Sequence, residues 1–401
     1  MKALGHRPLE GMTVVDLTHV MAGPFCTHVL HLLGARVIKI EKPGEGDVFR
    51  HYDRRPEFQG LAPSFQAVNT GKKSITVDLK AKDGIALVLD LIAGADIVVE
   101  NYRPGVLAKL GLGYEAAKAV KSDIIYCSLS GFGQVGPMRD NPAYDHIVQA
   151  MSGVMSLTGE PDGGPQKVGF PMIDTFAGYA GALAVVSAAL QRERFGGPQH
   201  IDLAMLDASL LLMVSMVGPY LIAGDTPQRV GNRGFNASPT AATFECADGP
   251  LLLGANTQKQ FEAMLAVLGA PEIGEDPRFA DPDKRIDHAA ALLARLNPLF
   301  KSRKAEDWEA LFNAASVPAG AVRDIPQITD HPHVAARRLA SRFPLPGTDR
   351  MGATINLGFD LGRPDGDLEP PPLLGQHTDE ILAGLGYNAA KVAALKASGA
   401  V

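Results

Sequence analysis

Six short runs of β-branched and aliphatic residues fill the first half of this 401-residue chain. They lie at Thr13–Leu17, Arg36–Glu41, Ser74–Leu79, Asp96–Glu100, Asp123–Leu129 and His200–Ala204. Apolar residues run through each with little alternation, as in strands covered on both faces. Helical stretches fall between them. Pro24–Leu33 stops at Gly34, Gly84–Ala93 lies between Asp83 as N-cap and Gly94, and Tyr114–Val120 is shorter. A β-α-β rhythm admits few folds. It predicts an α/β protein with a doubly wound, mostly parallel, Rossmann-like sheet.

After residue 225 the pattern changes. Thr226–Asn236 is polar and rich in Gly and Asn, as a linker is. Strands are expected at Ala242–Cys246, Leu251–Ala255 and Val317–Val322, with helices at Gln258–Leu268, His288–Phe300 and Glu306–Ala315. This is a smaller α+β domain. The expected boundaries are 1–225 for the large domain, 226–330 for the small one and 331–401 for the tail. In the tail, a strand at Thr354–Gly358 precedes the run Pro370–Thr378 and a short helix from Thr378.

Composition excludes more than it specifies. A net charge of −6 provides no general attraction to nucleic acid or membrane phosphates, so an anionic ligand needs a local set of cations. Cys26, Cys127 and Cys246 stand far apart, without metal or disulfide spacing, so a reducing cytoplasm is the expected setting. Two apolar stretches, Thr175–Leu190 and Ala208–Gly224, fall short of the roughly 20 residues of a membrane span. They read as helices buried in a core or a subunit interface.

Several motifs carry chemistry. Gly131–Gly136 fits G-x-G-x-x-G, but Pro137 to Pro142 follow where the fingerprint needs a helix, so it reads as a glycine loop lining a site. No Gly-x-Ser-x-Gly elbow is present, and His28, His31 and His146 read as ordinary packing or surface residues. Asn101, Tyr102 and Arg103 follow a strand, at the sheet end where ligands collect, and suit an adenine-phosphate ligand. Lys42, Arg50, Lys72, Lys73, Lys80 and Lys109 also fall beside strands and suggest a polyphosphate site. Asp174 lies among apolar and small residues with no cation nearby in sequence. It either caps the helix that follows or does chemistry in a dry place, and the two roles can coexist. A helix N-terminus stabilises an ionised carboxylate, which would keep it nucleophilic at neutral pH.

Taken together, these segments resemble the class III CoA-transferase family, which includes formyl-CoA, carnitine and dicarboxylate CoA-transferases and the 2-methylacyl-CoA racemases. The matching pieces are Leu9–Thr18, Ala22–Pro24, Leu33–Glu41, Gly46-Asp47, Asn69–Leu79, Glu100–Gly105, Gly131–Pro137, Tyr144-Asp145, Asp174 and the Pro370–Thr378 tail. The resemblance implies a large domain completed by the returning tail, and an interlocked homodimer. It implies that Asp174 is the catalytic carboxylate, carrying an acyl anhydride and then a CoA thioester. It further places CoA against Met21, Ala22, Lys42, Val77, Asp78, Leu79, Lys80, Asn101, Tyr102, Arg103, Lys109, Pro142, Ala143, Tyr144 and Asp145. Backbone N–H groups near Gly131 and Gly133 would hold the oxyanion. No permanent cofactor or metal is expected, only a CoA thioester as co-substrate.

Departures within the family narrow the substrate. Met21 stands where formyl-CoA transferases carry glutamine. Tyr144 stands where the racemases carry a histidine, and a phenol with a pKa of about 10 is a poor base near neutrality. The expectation is transfer of CoA from succinyl-CoA to a dicarboxylic acid, with Arg233 as a weaker candidate for its second carboxylate. The alternative is a 2-methylacyl-CoA racemase or epimerase.

Overall fold

A computed structural model of the chain describes residues 6–58, 60–234, 238–361 and 366–401. It has two compact units. The larger comprises residues 1–154, 168–222 and 335–401, and the smaller comprises 155–167 and 223–334. Residues 155–167, expected in the large domain, therefore pack with the smaller unit.

The larger unit is built on six strands: β1 (Thr13–Leu17), β2 (Arg36–Glu41), β3 (Lys73–Thr76), β4 (Ile97–Glu100), β5 (Ile125–Ser130) and β6 (Gln199–Ala204). Their order is β3-β2-β1-β4-β5-β6, and every neighbouring pair is parallel. This is the doubly wound arrangement, whose order reverses between β1 and β4. All residues of β4 and β5 are buried, which is why their apolar runs lack alternation. Two clusters cover the sheet. One includes Leu17, Ile75, Leu91 and Val98, and the other Val14, Cys26, Leu30, Val99 and Val185.

The first helix, Ala22–Leu32, packs along the long helix Met172–Phe195. Gly178 makes this close approach possible, since a Cβ there would lie 2.5 Å from the Ala22 carbonyl oxygen. The helix Lys82–Ala93 starts after Ala81, so Asp83 lies inside its first turn and is not the N-cap. At 24 residues, the long helix exceeds the sequence expectation and has the length and composition to cross a membrane. Its small-residue face instead packs on the first helix, β5 and β6. Neither apolar stretch is wholly buried within this chain. Leu183, Leu190 and Phe195 are exposed, and Val214–Ala223 buries no residue.

The tail closes onto β3. Ser74 Oγ accepts from Gly375 N–H at 3.0 Å, and the Ser74 carbonyl accepts from His377 N–H at 2.9 Å. A hairpin precedes this return, β10 (Ala340–Pro344) with β11 (Met351–Ile355). The first of these strands has no sequence signal, because Ser and Arg interrupt it and Pro344 ends it.

The smaller unit holds a three-stranded antiparallel sheet, β7 (Thr243–Glu245), β8 (Pro250–Leu253) and β9 (Ala319–Ala321). Helices Gln258–Leu268, Ala289–Phe300 and Ala305–Ala314 enclose Phe244, Phe261, Phe300, Trp308 and Phe312. A Thr257/Gln260 capping box starts the first of these helices, and Gly269 in the left-handed region ends it.

Candidate active site

The carboxyl ends of β1 and β4 meet at the topological switch point, where doubly wound sheets bind ligands. The turn after β1 is fixed from several directions. Asn101, just beyond β4, accepts from His19 N–H at 2.9 Å and donates to the His19 carbonyl at 2.8 Å. Lys39 Nζ donates to the Thr18 carbonyl at 2.8 Å and pairs with Asp47 at 3.0 Å. Asp47 in turn accepts from Val20 N–H at 3.1 Å. Val20 has φ of +66°, a left-handed conformation costly for a β-branched residue and kept by these constraints.

A cleft of about 110 Å³ opens at this point. His19, Val20, Met21 and Ala22 line it from the β1 side, and Asn101 from β4. Leu129, Ser130 and Gly131 line it from β5, with Ala143 and Tyr144 beyond. Asp174 enters from the first turn of the long helix. The volume is smaller than typical pockets for whole ligands.

Asp174 is not the N-cap of its helix. Pro171 holds that position, and Asp145 supplies the acceptor. The Asp145 carboxylate accepts from Ile173 N–H at 2.7 Å and Asp174 N–H at 3.0 Å, while Gln149 donates to its other oxygen at 2.5 Å. The Asp174 side chain has no hydrogen-bond partner among the described residues. Burial, and then the charge of Asp145, push its pKa up to about 7. This corrects the expectation of a carboxylate kept ionised by the helix. The free N–H groups that would have favoured the charge are taken by Asp145.

The other expected residues divide. Met21, Ala22, Asn101, Ala143 and Tyr144 line the cleft with Asp174 and Gly131. Gly133 does not, and its N–H is spent on Ser130 Oγ at 3.0 Å. Val77 is buried in the sheet's core with Leu79 packed against it, so their side chains do not face the cleft. Asp78 accepts from Lys80 N–H at 2.9 Å. Tyr102 packs its ring edge-on against His19, with centroids 5.3 Å apart. Lys80, Arg103, Lys109 and Pro142 are exposed, and exposed Lys42 pairs with Glu45 at 2.7 Å. Arg233 lies in the smaller unit, at an isolated bridge to Ala242.

Two expected phosphate-binding cations are structural instead. Lys72 is buried, bonded to Asp16, Thr27, Asn69 and the Pro24 carbonyl at 2.8–3.1 Å. Arg50 is buried against Glu41 at 2.7 Å. Both neutralise carboxylates beneath the turn after β1, and removing either would strand a buried charge. His19, Val20, Leu129, Ser130 and Met205 were missed from the sequence. For His19 the one signal was its place two residues beyond the end of β1, at the sheet edge where ligands bind, which does not by itself distinguish it from a surface histidine.

Fold and cleft define a doubly wound α/β protein with a free carboxylate at its switch point. The family model described as CoA-transferase family III matches residues 9–378. The chain is 40% identical over 333 residues to an acetyl-CoA:oxalate CoA-transferase of Acetobacter aceti, covering 83% of this chain and 85% of that one. It is 37% identical over 393 residues to a succinate–glutarate CoA-transferase of Agrobacterium fabrum, covering 94% and 96%. A crystal structure of a CAIB/BAIF family protein from Brucella suis superimposes with a TM-score of 0.84 at 36% identity, covering 95% of this chain and all of that one. This chain belongs to CoA-transferase family III and is an enzyme of that class.

Proposed function

We propose that the enzyme moves CoA from succinyl-CoA to a dicarboxylic acid, with Asp174 as the covalent carrier. One observation carries this reading. Asp174 stands in the cleft with an unpartnered carboxylate, because Asp145 does the capping that would otherwise explain it.

In its ionised form, Asp174 attacks the thioester carbon, the C–S bond breaks, and CoA leaves as thiolate. The thiolate then attacks the Asp174 carbonyl of the mixed anhydride, releasing the donor acid and leaving an aspartyl-CoA thioester. The acceptor carboxylate displaces the thiolate to form a second anhydride. Attack on its acyl carbon yields the new thioester and restores Asp174. No net proton is consumed, and one difficult exchange becomes several easier ones. The relatives named for oxalate, succinate and glutarate support a dicarboxylic substrate. Racemisation is not favoured: Tyr144 lines the cleft and His146, stacked on it with centroids 5.9 Å apart, does not.

A second copy of the chain fits the exposed apolar side chains of the long helix and of Val214–Ala223, and a homodimer in a reducing cytoplasm is part of this reading. The test is incubation with succinyl-CoA and a panel of dicarboxylic acids, with thioester products identified by mass spectrometry. Hydroxylamine should convert Asp174 to a hydroxamate only when acyl-CoA is present. Full activity in Asp174→Ala would end the proposal.

A further inference from the structure

The oxyanion formed when Asp174 attacks a thioester needs hydrogen-bond donors. Of the two loop positions expected to supply them, Gly131 lines the cleft, but the Gly133 N–H is already engaged with Ser130, which leaves room for a side-chain donor. Among the described residues, no lysine or arginine lines the cleft. Asn101 spends its amide oxygen and one of its two amide N–H groups on the His19 backbone, which fixes its orientation. Resting on the transferase reading above, we propose that His19 is a catalytic residue whose ring N–H donates to the oxyanion of the acyl group under attack.

Three observations support it. His19 lines the same cleft as Asp174, and neither of its ring nitrogens has a hydrogen-bond partner among the described residues. Its placement is rigid. Asn101 clamps the backbone on both sides, Tyr102 abuts the ring edge-on, and the strained Val20 follows, itself tied to Asp47. Strain retained next to a cleft fits a position held for function. Burial also lowers the pKa of the imidazole, so the ring is neutral at pH 7 with one N–H to donate. No proton moves in this step. The thioester carbonyl's electron pair goes onto oxygen, His19 hydrogen-bonds to it, and collapse expels CoA thiolate.

The experiment compares wild type, His19→Leu, His19→Gln and Ser130→Ala with succinyl-CoA and glutarate. It reads kcat, KM and the single-turnover rate of CoA thiolate release. His19→Leu should lower kcat and the release rate about 10²–10³-fold, with KM for succinyl-CoA within about threefold. His19→Gln keeps a neutral N–H donor and should recover to within about tenfold of wild type. Ser130→Ala should lose less than His19→Leu. A structural role would instead depress the melting temperature and move KM with kcat in both His19 variants. That pattern, or a fully active His19→Leu, overturns the proposal. An active wild type with an indifferent His19 overturns this inference alone, whereas a wild type that moves no CoA overturns the transferase reading and this inference with it.

Discussion

Asp145 accepts the backbone N–H of Asp174 at 3.0 Å, and of Ile173 at 2.7 Å, so one aspartate anchors the helix end from which the other projects. The capping that Asp174 could have done falls to Asp145, which leaves the Asp174 carboxylate free for the chemistry proposed above. Because both are acids, the anchor also opposes ionisation of its neighbour.

A pH dependence follows. Burial and Asp145 raise the Asp174 carboxyl to about 7, and in the proposed mechanism only its ionised form attacks. The kcat/KM for acyl-CoA should therefore rise through about pH 7 and level off above it. Asp145→Asn keeps an acceptor for the helix while removing the charge, so the rise should move to lower pH. Burial is the larger cause, so the shift should be partial. Steady-state profiles from pH 5 to 9 measure both.

Stability should move in the opposite direction from activity. The unfolded chain releases the Asp174 proton near 3.8, whereas the folded protein holds it to about 7. Folding is thus progressively penalised as pH rises between these values, and the penalty remains above them. Asp174→Asn should gain about 1–2 kcal/mol at pH 8 and almost nothing at pH 4, a reduced figure because the group is only half-buried. Denaturant melts at the two pH values check the sign.

Asp145→Ala removes the cap itself. It should cost about 1–2 kcal/mol and also lower kcat, because the first turn carrying Asp174 loses its anchor. Asp145→Asn should restore most of the stability, which urea titration of the three proteins would show.

Gly178→Ala tests the seat of the long helix. Its Cβ would fall 2.5 Å from the Ala22 carbonyl oxygen, and Ala22 lines the cleft. The helices must separate, at a cost of about 1–3 kcal/mol, with a fall in kcat. Unchanged melting and turnover would show that the close approach is unimportant.

Lys72→Met should be among the most damaging substitutions away from the cleft. It leaves Asp16 buried and unpaired, which costs about 3–5 kcal/mol. Replacing both partners, as Asp16→Asn with Lys72→Met, should recover part of that loss. A double-mutant cycle by chemical denaturation measures the coupling.

Much of the sheet was readable beforehand, since β1, β2, β4 and β5 are largely apolar runs whose burial on two faces leaves that signature, whereas β6 alternates and is only partly buried. The strand Ala340–Pro344 was not, because its pairing with Met351–Ile355 carries no continuous apolar signal. Asp174 stood out as an acid among small apolar residues. His19 did not, since nothing local distinguishes a histidine after a strand from a surface one. Lys72 and Arg50 looked like phosphate ligands for the same reason: a cation's partner lies far away in sequence and is brought to it only by packing.

By itself, the order of residues determined the alternation of strands and helices, because local periodicity and turn chemistry act over a few residues. It also determined which acid was chemically conspicuous. Only the tertiary structure decided that Asp145 would cap the helix of Asp174, that Lys72 would be buried on Asp16, and that His19 would face the cleft. Each depends on groups 27 to 82 positions apart meeting at the sheet's carboxyl edge, where burial and charge set what a side chain can do.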